Sequence, residues 1–571
     1  MSKTRRTFRL TFAVSVLLLI AGAVLLTDVL SGFNGARVDM TSDRLYTMSD
    51  SAKKILGDLQ VPVQVKFYVT GSDHMPTELK TLERDVTDKL RDYAGAGDGM
   101  FEFSVHDPQN DEEMQASLSG RGVRPFQVQS IDKDEIGVKL IWSAMTIAYK
   151  DYPEEVLPQV LPQTLPTLEY ELVSRVYRLT QEKLPVVALV APVQQVDPQV
   201  AMMYLQQGMQ PPEPVDVFST VPQLLSQEHY DVRRIDLTRE SRIPDDVDVL
   251  VVLNPTGFNE RQAFEINRAL SNGVNTVLAV QDHIYDYQPG ARGGFTITGH
   301  GQPSGLSGML DALGADIDGR HLFDASNQVL NVPRTQNVGG LRFQTNEPVR
   351  LPIQLWVTES QMNPDAPMTS RIGNVLYLWG SALELDPTAL ASNGLAATTL
   401  FTASDNAWRE TFTPSVVPGS YFNEAGKPME KGLPLAALIE GDFPDTFVQT
   451  GVPEWPDAGG AEGEEGPPAD IVAPLAPAPA KLVITGCAKM FDDMALQAGQ
   501  NGLFLLNAVD ALAYGDDLIS IRSKAMTMRS IRPVSDGEKL AYRLFAVVLI
   551  PLLLVIYGLF RAAARRKEAV R

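Results

Sequence analysis

At 571 residues the chain is several times the usual domain size, which excludes a single hydrophobic core and predicts roughly two to four folding units. The formal charge is −21, yet the first thirty residues carry four basic groups and one acidic, and residues 541–571 carry six and one. The middle therefore holds −29, a surface that repels phosphate backbones and excludes nucleic acid as its partner, while the single cysteine, Cys487, excludes an intramolecular disulfide, a Cys-Xaa-Xaa-Cys redox pair and a cysteine-based zinc cluster.

Residues 1–9 contain Lys3, Arg5, Arg6 and Arg9, and LTFAVSVLLLIAGAVLLTDVL follows at 10–30. At ~1.5 Å rise per residue that run can cross a hydrocarbon layer of ~30 Å and is expected as a spanning helix. A cleaved signal peptide is the rival, because Ala21-Gly22-Ala23 imitates a cleavage site; cleavage there would strand VLLTDVL on the mature chain. Thr47 with Asp50 predicts a capped helix start, and SAKKILGDL continues it in helical spacing. An alternating strand (61–70), an amphipathic helix (77–95), a strand (100–108), two further strand-like runs and a helix (167–181) complete an N-terminal α/β unit over 37–183. Their order is that of a thioredoxin-like layer.

A second unit is expected over 184–450, with irregular insertions. Strands at 184–192, 230–237, 247–255 and 274–282 alternate with helices at 221–229 and 259–273. Continuous apolar strand runs predict a doubly wound parallel sheet. Ligands usually bind such sheets beyond the carboxyl ends of the strands, which singles out Asn254, Asp282 and His283. The Gly-rich stretch 287–305 is expected as a mobile loop beside them. The acidic Pro/Gly/Ala segment within 451–480 is expected to be a disordered linker. A returning strand at 481–486 and a helix at 501–515 complete the unit within 481–540, and Arg522, Lys524, Arg529 and Arg532 then lead to a second apolar run at 544–560. This run predicts a second span over 541–560 before a basic tail, 561–571, with Pro551 tolerated inside it. Basic residues outside both spans place both termini in the cytoplasm and the body outside, a two-pass arrangement in a bacterial cytoplasmic (inner) membrane. The basic stretch 522–532 reads as a solvated strand touching lipid headgroups or as a docking surface for a membrane partner.

Ser51 to Lys54 forms the Ser-Xaa-Xaa-Lys tetrad of penicillin-recognising enzymes, and Ser404-Asp405-Asn406 matches their second element, but Lys-Thr-Gly occurs nowhere. The tetrad reads as a helix start. No GxxxxGK[ST] loop, HExxH or GxSxG elbow is present, and the six histidines show no ligand spacing, so no metal or cofactor is expected. The second unit's order resembles class I glutamine-amidotransferase-like domains, whose chemistry needs a cysteine at a strand-to-helix elbow. Cys487 lies outside that unit, which leaves a non-catalytic version and a buried, inert thiol.

Several patches, in order, resemble the auxiliary (substrate-binding-like) subunit of gliding-motility-type ABC transport systems. VDMTSDRLYTMSDSAKKILGDLQVPVQVKFYVT resembles the family's opening signature, on Asp39, Thr41, Tyr46, Thr47 and Ser49. LERDVTDKLRDYAGAGDGMFEFSVHDPQ resembles its next helix and strand, ending here at Asp107-Pro108. IPDDVDVLVVLNPTGFNERQAFEINRALSNGVNTVLAV and GLFLLNAVDALAYGDDLISIRSK are similar to later segments. Where the family commonly carries a Gly-Asp-Ser-like turn this chain has Gly486-Cys487-Ala488, and 454–480 looks like an insertion. The resemblance implies a non-catalytic extracytoplasmic subunit that couples a separate ATPase and permease to periplasmic or cell-envelope partners. It implies partner contacts near Asp39, Thr41, Tyr46, Ser49, Arg522, Arg529 and Arg532. Two alternatives stay open: an anchored module binding an envelope glycan or lipid, and an anchored hydrolase.

Overall fold

The computed structural model describes residues 48–515 apart from 133–134, 166, 181–182, 194–195, 197, 290–294, 339–340, 370–371 and 457–476. Its first helix, α1 (Asp50–Gly57), is capped by Ser49, whose hydroxyl accepts from the Ala52 N–H at 3.2 Å, two residues later than the expected start at Thr47. One face, Ala52, Ile55 and Leu56, is buried. The chain continues through β1 (Val63–Val69), α2 (Leu82–Ala96), β2 (Phe101–His106), α3 (Glu112–Gly120), β3 (Phe126–Asp132), β4 (Glu135–Ile141), β5 (Ser143–Ala148), β6 (Glu155–Leu157) and α4 (Leu168–Thr180). Strands β2-β1-β5-β6 form one sheet, with β1 parallel to β2 and antiparallel to β5. Its core joins Val65 and Phe67 to Leu82, Val86 and Leu90 of α2 and to Leu172 and Val176 of α4. The apolar run 137–150 divides at Trp142, so β3 and β4 pair as a separate hairpin.

The larger lobe begins with β7 (Val186–Val190), α5 (Pro198–Gln206), α6 (Thr220–Gln227), β8 (Asp231–Arg234), β9 (Val249–Leu253), α7 (Glu260–Ser271) and β10 (Asn275–Ala279). A long excursion follows: β11 (His283–Pro289), β12 (Phe295–Gly301), α8 (Ser307–Leu313), β13 (Ala315–Ile317), β14 (His321–Asp324), β15 (Asn327–Val338), β16 (Leu341–Thr358), β17 (Asn374–Leu378), β18 (Leu383–Leu385), α9 (Pro387–Ser392), β19 (Leu395–Thr402), β20 (Ala407–Glu410) and β21 (Pro434–Asp442). Then β22 (Pro479–Thr485) re-enters beside β10, and α10 (Asn501–Tyr514) closes the lobe. The seven-stranded sheet runs β19-β21-β22-β10-β9-β7-β8. Its central strands are apolar throughout because both faces are covered: Val187, Val251 and Val483 pack with α6 and α10, while Ala188, Leu250 and Leu278 pack with α7 and α8.

This is a mixed α/β architecture of several sheets, and it corrects the expected one. Beyond the four- and seven-stranded sheets, the described strands form five sheets of two or three strands, and β21 runs antiparallel to both its neighbours, so the large sheet is not a doubly wound parallel sheet alone. Among the described residues no helix is long and apolar enough to cross a membrane, which leaves the two-span arrangement without support; both runs, 10–30 and 541–560, lie outside the described residues. The most apolar long helix described, α10, has 14 residues, and its side chains are spent on the sheet core. The stretch 287–305 is a hairpin rather than a loop, with His283 to Pro289 paired to Gly301 to Phe295. Most of the predicted linker, 457–476, also lies outside the described residues.

One buried ion pair fastens the segment before that linker. Arg261 and Glu265 of α7 are 2% and 1% exposed and 2.8 Å apart; Arg261 Nη1 also donates to the Pro453 carbonyl at 3.0 Å, and its guanidinium lies 5.3 Å from the Trp455 ring. Removing Arg261 leaves the buried Glu265 carboxylate with only the longer contact to Arg268 Nη1, at 3.4 Å. Arg261→Ala is expected to cost about 3–5 kcal/mol in denaturant melts, with the double variant Arg261→Ala/Glu265→Ala costing less than the sum of the two singles.

Candidate functional site

Asn254 and Asp282 follow β9 and β10, neighbours in the sheet, so the fold brings two of the sequence-predicted ligand residues together. Asn254 sits in the left-handed region (φ 52°), which asparagine tolerates, and its N–H donates to the Ala279 carbonyl at 2.9 Å. The link between the two strand ends is Gln302. Its amide donates to Asn254 Oδ1 at 2.5 Å and to the Gln281 carbonyl at 3.1 Å, while its backbone N–H donates to the Asp282 carbonyl at 2.7 Å. Gly305, two residues past Pro303, seats this turn: its φ is +77°, and a Cβ there would meet the Phe258 carbonyl oxygen at 2.0 Å.

A second glutamine ties three chain segments. Gln281 is 3% exposed, donates at 2.7 Å to the carbonyls of both His283 and Trp379, and accepts from the Lys489 N–H at 3.1 Å. His283 is buried against Phe412, ring centroids 4.0 Å apart, with Ser381 Oγ 3.4 Å from its Nδ1. His321 beside it is wholly buried. Its Nε2 accepts from the Thr413 N–H at 3.4 Å, which assigns the proton to Nδ1, donated to Tyr285 Oη at 2.6 Å. Gln281, Gln302, His321 and Ser381 carry no local motif, so sequence reasoning had no means of finding them.

The chemistry of this junction is that of a closed structure. Burial lowers both His283 and His321 to about 4, so both rings are neutral at physiological pH. Burial, then repulsion from Asp316, raises Asp282 to about 6. Cys487 is pushed up to about 12 by burial and donates its Sγ–H to the Leu378 carbonyl at 3.2 Å, the reverse of what a nucleophilic thiol requires. Trp379, in strained left-handed backbone (φ 62°), stacks on Tyr287 at 5.5 Å and takes the Lys489 ammonium 4.8 Å from its ring centre. Its aromatic surface is thus engaged within the protein. A cleft of about 200 Å³ opens at the other end of the strands, lined by Pro244, Asp245, Glu265, Arg268 and Val274, and includes none of the three predicted ligand residues. Among the described residues no group of histidine, cysteine and carboxylate side chains could hold a metal ion.

The predicted partner-contact residue Ser49 lies elsewhere, where α4 joins the two lobes. Its N–H donates to Glu169 Oε1 at 2.8 Å, near the start of α4. Toward the other end of α4, the Tyr177 ring meets Tyr514, the last residue of α10, edge-on at 5.4 Å. Between them Tyr170 donates to Glu228 of the larger lobe at 3.2 Å. One helix therefore touches the residue before α1, the last residue of α10 and the larger lobe at Glu228. Asp39, Thr41, Tyr46, Arg522, Arg529 and Arg532 lie outside the described residues.

A family profile described as an ABC-type uncharacterized transport system matches residues 197–508, more than half of the chain. A second, described as a domain of unknown function, matches residues 42–148. Among solved structures, the mmIFT52 N-terminal domain is similar at 11% identity and a TM-score of 0.29, covering 58% of this chain and 98% of that one. A thua-like protein from Bacteroides uniformis is similar at 10% identity and a TM-score of 0.27, covering 58% and 94%. Likenesses this slight bear on neither fold nor function. No curated protein matches the chain.

The raised Asp282 carboxyl has a thermodynamic consequence. Because its folded value lies above its unfolded value near 4, the unfolded chain ionises first as pH rises from 4 to 6, and wild-type stability falls over that window and stays lowered above it. Asp282→Asn is expected to raise stability at neutral pH by roughly 1–2 kcal/mol, with the gain vanishing toward pH 4. Thermal melts of both proteins across this range test it; a difference that does not change with pH would mean that the carboxylate is solvated.

Proposed function

Because this chain belongs to the family described as an ABC-type uncharacterized transport system, and so is an auxiliary component that associates with other parts of such a transporter, we propose that it is a non-catalytic coupling subunit for a separate ATPase and permease. The observation that carries this reading is α4. It bonds the segment before α1 through Glu169 and Ser49, meets the last residue of α10 through Tyr177 and Tyr514, and contacts the larger lobe through Tyr170 and Glu228. A displacement of Ser49 or of Tyr514 would thereby be delivered to one helix at the joint between lobes. Neutral, enclosed His283 and His321 and a thiol held far from ionisation add support, because neither presents an activated group to a substrate.

The test is purification of the tagged full-length chain under mild conditions, with mass spectrometry of its companions and an ATPase assay on the complex. An ABC ATPase and a permease are expected to accompany it. Glu169→Ala, which removes the acceptor for Ser49, is expected to keep those companions while lowering the transporter's ATPase turnover about fivefold, the scale of a ~1 kcal/mol coupling energy. A chain that remains solitary after crosslinking in cells would sink the proposal.

A further inference from the structure

Helix α5 carries its large apolar side chains on the outside. Met202, Met203 and Leu205 are 56%, 48% and 58% exposed, whereas Ala201 and Tyr204 beside them are half-buried. Three residues apart, Met202 and Leu205 share one face of the helix, and the way the helix ends adds a third apolar group close to them. Gly208, in left-handed backbone (φ 71°), donates its N–H to the Leu205 carbonyl at 3.0 Å, and the Met209 N–H returns to the Tyr204 carbonyl at 2.9 Å. This pair of bonds folds the residue after the glycine back toward the last turn, where Met209 is 47% exposed. From Pro198 to Pro212 the sequence contains no charged residue, and the exposed polar side chains beside the apolar ones are the amides of Gln206, Gln207 and Gln210. Four large side chains about half exposed at one place present about 400 Å² of apolar surface, the size at which such a patch marks an interaction site.

We propose that this face of α5 seats a second copy of the chain, the two helices packing face to face about a two-fold axis. The patch complements itself: it is apolar at its centre, and its glutamine amides both donate and accept hydrogen bonds, so the same surface meets its like without leaving a charge unpaired. A lipid surface suits it poorly, because interfacial helices set Lys or Arg beside their apolar face, whereas α5 has neither and belongs to a body carrying −29 that anionic headgroups repel. A charged protein segment finds no counter-charge on it. Area sets the strength: with the glutamines included, pairing removes about 1,000 Å² in all, the lower bound for a specific interface, so the dimer is weak and depends on concentration. Two acidic bodies also repel each other, so added salt strengthens the pairing, the reverse of what an ion-paired interface does. This inference goes beyond the coupling reading and does not rest on it.

The test is sedimentation equilibrium of the purified full-length chain, in an uncharged detergent, over a range of concentrations. A reversible equilibrium between monomer and dimer is expected, tightening as salt rises from about 0.1 M to about 0.5 M. Leu205→Glu is expected to weaken it about thirtyfold, the scale of an interface hot spot, and to leave the unfolding midpoint unchanged, since this side chain already stands largely in water in the single chain. Leu205→Cys is expected to yield a disulfide-linked dimer on mild oxidation, with buried Cys487 remaining unreacted. A wild-type chain that stays monomeric throughout would overturn the proposal. So would a dimer that Leu205→Glu leaves intact, because the copies would then meet elsewhere. Binding of a monomeric wild type to phosphatidylcholine vesicles that Leu205→Glu weakens would also overturn it, and would reassign the patch to lipid. None of these outcomes touches the coupling reading, which is judged by the companions that co-purify.

Discussion

Strand β10 lies between β9 and β22, so the sheet is complete only when a chain that left at Ala279 returns at Pro479 to the same strand's other edge. Everything between these residues must depart and come back with its ends fixed, and loop closure on that scale is slow and entropically opposed. The structure meets the constraint at the carboxyl ends of the strands. The side chain of Gln281 holds the first residues out of β10, the turn after β17 and the backbone after β22 with three hydrogen bonds in a dry environment, where an unmet amide would be expensive. Gly380 and Gly486 permit the same approach: a Cβ on the first would stand 2.6 Å from the Cys487 Cβ, and one on the second 2.3 Å from the Ser381 carbonyl oxygen.

That solution uses up the place where a sheet of this kind usually binds a ligand. Asn254 and Asp282 do meet there, and adjacency of their strands was readable because β9 and β10 are continuous apolar runs joined by a well-patterned, capped helix. What fills the space was not readable. Gln302, His321 and Phe412 reach it from the excursion, whose strands are short or paired over long separations, and periodicity in a local window does not report such pairings. Helices went unseen for a related reason: α3 buries only Leu118, and α5 leaves Met202, Met203 and Leu205 about half exposed, so neither shows a clean apolar stripe. The thiol of Cys487 was legible as inert from its neighbours in sequence, and its place under Gly380 explains why.

The two ends of the larger lobe differ in physical character, and under the proposed reading that difference matters. At the carboxyl ends of the strands Gln281, His283 and His321 are neutral, buried and hydrogen-bonded, an arrangement that resists deformation because any shift exposes unmet polar groups. At the joint on α4 the contacts are tyrosine rings edge to face, single hydrogen bonds and charged groups near solvent.

The left-handed His229 sharpens that contrast. A glycine there would relieve the backbone, and the turn itself needs no side chain, because the Tyr230 N–H already closes it on the Leu225 carbonyl at 3.3 Å. That imidazole lies between Glu155 of the smaller lobe, 3.9 Å from its Nε2, and the guanidinium groups of α4. Burial and Arg178 push the pKa of that ring down, while Glu155 opposes them. The joint is thus where charged groups of the two lobes meet, whereas the carboxyl ends of the strands are closed by neutral side chains.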